Sequence, residues 1–443
     1  MNWNLLKQKA AQHSLVRDTM STTFWMVLGK SVGFLIPFFI AAWFGVNRQT
    51  DSFFLVYGLV IFLSSSVAGV VVTIIVPFLA EKRTRKEDIG AFVGNILGVS
   101  GILLLMITTV LIIFSDPLFS LLTRFDPATR RLTVSLFIET APLIILLFWS
   151  GLLSGAMNTY KKFALPAFSP AIRAVIIIIF IFFMKAKIGV HAVAIGYIIG
   201  EFCRLTFFFI AIRKWRLFRI KISLGIDARL KDFARTALFQ LIAMTIGVMN
   251  PFIDKIMASW ISEGSVSVLH YSHMLYMIPT TILTSGLMVT LLSHWSQRFY
   301  KNGPNQLRGD VRKALTVVAF WTVPLTGFLI LFHRPIVRLL FSWGHFDPAL
   351  HTQLEWTWIG YLVGLFPHAL VLILANAYIT MKNTRRIMQV SLAILVLNIG
   401  LNLILMPFFQ VAGLALSTSG VTLVSLVCFS IAFSRDLGKI ESP

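Results

Sequence analysis

The feature that most constrains this chain is a succession of apolar runs, each closed by a charged or Pro/Gly-rich break. A bilayer helix needs about 20 mostly apolar residues. Runs of that kind fall at 21–45, 51–79, 90–114, 133–157, 165–184, 188–211, 233–258, 264–295, 314–333, 350–380, 387–408 and 412–433. Composition agrees. Of 443 residues 57% are apolar and 13% charged, whereas a soluble domain carries roughly 25% charged residues. Mean hydropathy is +0.82. The expected fold is an all-α polytopic membrane protein of about twelve transmembrane helices, arranged as two pseudo-symmetric six-helix halves around a central cavity. Short loops leave no room for a large soluble catalytic domain.

The net charge of +21 would suggest nucleic acid in a soluble chain, but in a membrane chain it is read loop by loop. The N-terminus, the even-numbered connections and the C-terminus hold 26 Lys and Arg, and the odd-numbered connections hold 8. Both termini are therefore expected on the cytoplasmic side of the membrane, with no nucleic-acid partner. Residues 1–20 lack an apolar core with a small-residue cleavage site and are expected to form an amphipathic leader rather than a signal peptide. The remaining organisation is a six-helix half over 21–211, a basic cytoplasmic linker over 212–232, a second half over 233–433 and a tail over 434–443. The linker holds seven Lys and Arg between Arg213 and Lys231, a composition suited to anionic lipid headgroups, with a protein partner as the alternative.

An internal repeat supports two halves. Asp51–Glu81 lies over Ser267–Gln297 at an offset of 216, and Met157–Lys161 over Tyr378–Lys382 at 221. Repeats of this kind place a substrate path between the halves.

Ionisable groups inside spans cost several kcal/mol unless they face protein or water, so each is a candidate for function. Lys30 sits in Gly29-Lys30-Ser31-Val32-Gly33, where cavity lining competes with an interhelical ion pair. Asp254 and Lys255 near the end of the seventh span read as a gate or as an interfacial anchor. Glu201 and Arg204 share a helix face and suggest a structural ion pair. His270 and His273 also share a face, suited to passing a proton or binding phosphate, or to a structural role. Asp51 reads first as a helix cap. Arg173 and Glu139 could face each other. Gly29/Gly33, Gly151/Gly155, Gly196/Gly200 and Gly360/Gly364 are close-packing signals. Cys203 and Cys428 form no metal or redox pattern, and no cofactor or metal is expected. P-loop, dinucleotide, zinc-protease and nucleophile-elbow motifs are missing, which excludes the common enzyme classes.

Several stretches resemble the MurJ (MviN-type) lipid II flippases of the MOP exporter superfamily. They are Phe44-Gly45 with Thr50-Asp51-Ser52-Phe53-Phe54, Val76-Pro77-Phe78-Leu79-Ala80-Glu81, Gly155-Ala156-Met157-Asn158-Thr159 and Phe163 to Pro170. Asp254 to Ser259, Gly264 to Ser267 with Tyr271, and Leu340 to Phe346 continue in order. The resemblance implies a transporter, not an enzyme, that carries an undecaprenyl-pyrophosphate-linked peptidoglycan precursor to the outer leaflet by alternating access. Cation or membrane-potential coupling and cell-wall synthesis partners are implied with it. Another lipid-linked oligosaccharide, such as an O-antigen or exopolysaccharide precursor, and a MATE-like cation-coupled export activity are the alternatives.

In that family arginines on helices 1, 2 and 8 hold the pyrophosphate. Lys30 keeps one such position, while the others fall at Ile36, Ser64, Ser65 and His273. The resemblance thus assigns Lys30, His273, Lys255, Asp51, Ser64 and Ser65 to the substrate. As ionisable groups within spans, Asp254, His270, Glu201, Arg204, Arg173 and Glu139 are the candidates for coupling or gating. Twelve spans are expected where the family commonly has fourteen.

Overall fold

A bilayer offers no water to backbone N–H and C=O groups, so long apolar stretches must bond internally as helix. The computed structural model describes residues 3–85, 87–160, 162–225, 228–285, 295, 304–381 and 384–441. No strand occurs among them. The helices are α1 (Trp3–Phe44), α2 (Arg48–Thr84), α3 (Ile89–Ile113), α4 (Ser115–Leu122), α5 (Pro127–Thr140), α6 (Pro142–Thr159), α7 (Ala164–Ile188) and α8 (His191–Lys214). After the linker follow α9 (Ala228–Ala258), α10 (Ser265–Ser285), α11 (Pro304–Leu331), α12 (His333–Phe341), α13 (His351–Leu362), α14 (Leu365–Thr380) and α15 (Thr384–Glu441). Eight helical stretches among the described residues are long and apolar enough to cross a membrane. The chain is an all-α multi-pass membrane protein.

Each apolar run falls within one of these helices or a broken pair, and the end of the eighth run beyond Ser285 lies mostly outside the described residues. Three details differ from the sequence expectation. The leader and the first run form one continuous α1. The fourth run breaks at Ala141, where Pro142 opens α6 and brings no N–H of its own. The tenth run breaks likewise between α13 and α14. Within α15 the backbone kinks at Gln410 (φ 50°, ψ −130°), three residues after Pro407, between the two runs read from the sequence. The short helices α4 and α12 start 218 residues apart, each directly after a long helix, which extends the repeat to elements the sequence did not mark.

The described chain packs into two compact units that are distinct from the repeat halves. One holds residues 1–39, 59–118 and 133–244. In it α7 packs along α8, and α6 against α8 and α3. Gly29 of α1 lies so close to α7 that a Cβ would press on the Ala167 carbonyl, whereas Gly33 meets nothing. Residues 217–225 of the linker run extended along α3. Gly90, Gly94 and Gly98, one turn apart on α3, each leave no space for a Cβ beside the carbonyls of Arg219, Lys221 and Ser223. The Lys221 N–H donates to the Gly90 carbonyl (3.3 Å), and its ammonium pairs with Asp88, the N-cap of α3 (2.8 Å).

The other unit holds residues 40–58, 119–132 and 245–443. In it α10 packs on α13 and α14, and α15 on both of those. Ile373, Tyr378, Phe429 and Phe433 are among its buried core. Loop ends are joined by polar contacts. The His345 N–H donates to the Ala42 carbonyl (2.8 Å), the Trp260 indole to the Leu122 carbonyl (2.8 Å), and Arg48 pairs with Glu263 (2.7 Å) and Asp126 (3.4 Å).

Candidate functional site

The start of α2 is fastened to the start of α10. Helix N-termini leave backbone donors without intrahelical partners, and the buried Asp51 carboxylate takes them up. It accepts from the Gly264 N–H (2.6 Å), the Ser267 N–H (2.8 Å) and the Ser267 hydroxyl (2.6 Å). That hydroxyl also lies 2.9 Å from Thr50 Oγ1. Asp51 is thus a helix cap, but of α10 rather than of its own helix. One turn further on, His270 stacks on Phe54 with ring centroids 4.0 Å apart.

Asp254 and Lys255 are consecutive on α9, so their side chains leave the helix about 100° apart. They do not neutralise each other. Asp254, 3% exposed, accepts from Asn402 Nδ2 (2.7 Å) and Thr418 Oγ1 (3.2 Å) of α15. Lys255 turns to α2 and donates to the Phe54 carbonyl (3.2 Å), and a Cβ on Gly58 would fall 2.8 Å from its Cδ. Gly58 therefore makes the space in which the lysine stem lies. Among the described residues Lys255 has no carboxylate partner.

A cavity of about 50 Å³ joins these groups, lined by Asn250, Asp254, Lys255, His273, Tyr361 and Thr418 among others. It suits waters or a bare ion and is far smaller than a drug-sized site of roughly 300–1,000 Å³. Asn250 Oδ1 and Asn402 Oδ1 are buried without a hydrogen-bond donor. His273 packs edge-on to Tyr361 (5.4 Å), which stacks on Tyr276 (5.5 Å). Among the described residues no group of three or more His, Cys, Asp or Glu could hold a metal ion.

The other candidates belong to the first unit. Lys30 is exposed on α1 and has no hydrogen-bond or ion-pair partner among the described residues. The buried Ser64 hydroxyl donates to the Val60 carbonyl of its own helix (2.6 Å), and Ser65 is half-buried. Glu201, fully buried, sits between Arg173 (3.1 Å) and Arg204 (3.1 Å), and Arg204 Nε also donates to Ser169 Oγ (2.9 Å). Arg173 and Glu139 do not face each other. Glu139 pairs instead with His191 at 2.6 Å, because Arg173 is taken up on α7 by the acid of α8.

Sequence reasoning missed Asn398, Asn402 and Thr418. The signal was present: Asn398 and Asn402 are four apart in an apolar run, hence on one face of α15. At the loop ends, the Thr129 hydroxyl beside Asp126 holds that carboxyl below its ordinary value, and the Glu263 hydrogen bond raises the Arg48 guanidinium.

Comparison with known proteins gives concordant results. A family model described as lipid II flippase MurJ matches residues 40–442. A probable lipid II flippase MurJ of Rickettsia prowazekii is 26% identical, covering 92% of this chain and 81% of its own. A lipid II flippase MurJ of Burkholderia cenocepacia is 24% identical, covering 94% and 83%. Among solved structures, a lipid II flippase MurJ in an inward closed conformation superposes with a TM-score of 0.82 at 23% identity, covering 96% of this chain and 90% of that one. An inward-facing multidrug resistance MATE transporter of the MOP superfamily superposes at 0.76 with 13% identity, covering 95% of each.

Proposed function

The chain belongs to the MurJ family of lipid II flippases, and from that premise we propose which of its residues meet the cargo and the coupling ion. It is a membrane transporter rather than an enzyme, and lipid II, a lipid-linked glycan, is its substrate. We assign it to the bacterial inner membrane with both termini cytoplasmic, on the distribution of Lys and Arg among its loops.

One observation carries the residue assignment: Lys255 is half-buried on α9 with no carboxylate partner among the described residues, although an acid is its chain neighbour. A buried cation is retained at a cost unless something anionic uses it. Its carbonyl contact with Phe54 is a resting position, and the pyrophosphate displaces it when the small cavity widens. His273 lies on the same cavity and serves as the second donor. Lys30 on α1, with no hydrogen-bond or ion-pair partner among the described residues, is a separate candidate contact for the pyrophosphate. Ser64 and Asp51 are occupied by backbone groups and serve structure.

Asp254 has the opposite character. Its carboxylate, the Thr418 hydroxyl and the undonated Asn250 oxygen face one side of the cavity whose lining also includes Lys255 and His273, an oxygen-rich set that suits a hard monovalent cation. Alternating access coupled to a cation or to the membrane potential would act there. Anionic headgroups at 212–232 and cell-wall synthesis proteins are the proposed partners.

The test is complementation of a bacterium depleted of its lipid II flippase, with leaflet-specific detection of lipid II. Wild type should restore outer-leaflet lipid II, and Lys255→Ala, Lys30→Ala and His273→Ala should not, at equal membrane abundance. Normal rescue by Lys255→Ala would remove the assignment. Asp254→Asn should abolish any stabilisation of the purified protein by sodium over an inert organic cation; an unchanged sodium response would move the ion elsewhere.

A further inference from the structure

The linker shapes a second feature of the first unit. Between it and helices α3, α6 and α8 lies an apolar slot of about 400 Å³, whose walls include Ile102, Leu105, Ile145, Trp149, Ile222 and Leu224. Arg219 and Lys221 sit beside Gly90, and Leu224 beside Gly98. Eight residues of α helix span about 12 Å. The linker therefore carries its charges at the polar N-cap of α3 and its apolar tip two turns deeper, where Leu97, Ile102 and Leu105 of α3 line the slot.

The charges at the shallow end are largely unspent. Lys221 is paired with Asp88. Arg213, Lys214, Arg216 and Arg219 are exposed and have no acidic partner among the described residues. Arg216 adopts a left-handed conformation (φ 48°) that turns the chain out of α8 and starts the extended segment. A phospholipid has the same division, an anionic head above a long apolar chain.

We propose that this slot binds an anionic phospholipid, with one acyl chain along Ile102, Leu105, Ile145 and Trp149 and its phosphate against the cluster Arg213 to Arg219. The inference rests on reading 212–232 as facing headgroups and adds a specific chain site to it. The occupant is a resident lipid rather than cargo. The linker is tied down along α3 by three glycines that leave it no slack, and a tethered roof suits a lipid that stays while cargo must leave.

The probe is phosphatidylglycerol with dibrominated acyl chains, titrated into the purified full-length protein and compared with dibrominated phosphatidylcholine. Bromine quenches nearby indoles, and subtracting the response of Trp149→Phe isolates Trp149 among the 11 tryptophans. Quenching of Trp149 should need less phosphatidylglycerol than phosphatidylcholine, by about fivefold for each arginine that contributes. Arg216→Gln with Arg219→Gln should remove that preference. Where Trp149→Phe does not fold, native mass spectrometry of wild type against the arginine double variant gives the same comparison through retained lipid. Equal quenching by both lipids would mean ordinary annular contact and overturn the proposal. Binding to phosphatidylglycerol vesicles without quenching of Trp149 would keep the headgroup reading and remove the slot. Displacement by undecaprenyl phosphate, and not by unlabelled phosphatidylglycerol, would give the slot to the cargo tail and overturn the proposal equally.

Discussion

Asp51 and Ser267 stand at the same position of the two repeats, 216 residues apart, and are hydrogen-bonded to each other at 2.6 Å. The next such pair, Phe54 and His270, stacks at 4.0 Å. Equivalent positions of the repeat thus meet each other along the seam of α2 and α10. Asp51→Ala would leave the Gly264 and Ser267 N–H groups buried without acceptors, at ~1–3 kcal/mol each. We expect a clear fall in the thermal unfolding midpoint in detergent, with Asp51→Asn falling less because one acceptor oxygen remains.

Gly58 offers a graded test of Lys255. A methyl group there would press on the lysine stem at 2.8 Å, and that stem can swing aside. Gly58→Ala should therefore leave the protein folded and lower the rate of flipping, while Lys255→Ala abolishes it. Equal rates for Gly58→Ala and wild type in reconstituted vesicles would show that the position of the ammonium does not matter.

Glu201 neutralises one of two arginines on adjacent helices. Removing one partner of a buried charge cluster costs about 3–5 kcal/mol. Glu201→Ala should accordingly reduce the folded yield in the membrane, and Glu201→Gln, which keeps an acceptor for Arg204, should reduce it less. Urea or heat titration of the purified variants checks the order.

The linker is held partly by charge. The hydrogen bond from Lys221, together with the Ala91 N–H, keeps the Asp88 carboxyl below its ordinary value of 3.8. A carboxyl lowered in the folded state stabilises above its unfolded value and loses that contribution as pH falls through the folded one. The clasp is thus complete at neutral pH and weakens only below about pH 3.8; the pair is exposed, so the effect is small. Gly94→Leu acts more strongly, because the side chain would occupy the place of the Lys221 carbonyl. Trypsin at neutral pH should cut after Arg219 and Lys221 faster in Gly94→Leu than in wild type, and slightly faster in Asp88→Asn.

The helices were readable because each span must be apolar over its whole length, and the gap between the runs 387–408 and 412–433 marked the kink at Gln410. Pro142 was legible as a kink inside the fourth span, since proline interrupts hydrogen bonding without interrupting hydropathy, and the structure makes that kink a full break at Ala141. Asp254 and Lys255 stood out as ionisable residues. Their separation onto different partners did not, because it depends on the rotation of α9 against α2 and α15, which no local pattern records. Asn402 and Thr418 escaped for a simpler reason: neutral polar groups carry a smaller penalty in a membrane helix and do not stand out from its apolar run. Gly90, Gly94 and Gly98 spell a close-packing pattern, but their partner is an extended strap rather than a helix.

The seam of α2 and α10 also bears on ancestry. Were the halves separate copies of one chain, a residue on the axis would meet its own twin, as in any isologous dimer. Two buried carboxylates at 51 and 267 would repel, and two serines would leave a helix end poorly capped. Joining the copies in one polypeptide lifts that constraint, since the two positions can then change independently. An acid opposite a hydroxyl and a phenyl ring opposite an imidazole are combinations that two identical copies meeting on their axis cannot encode.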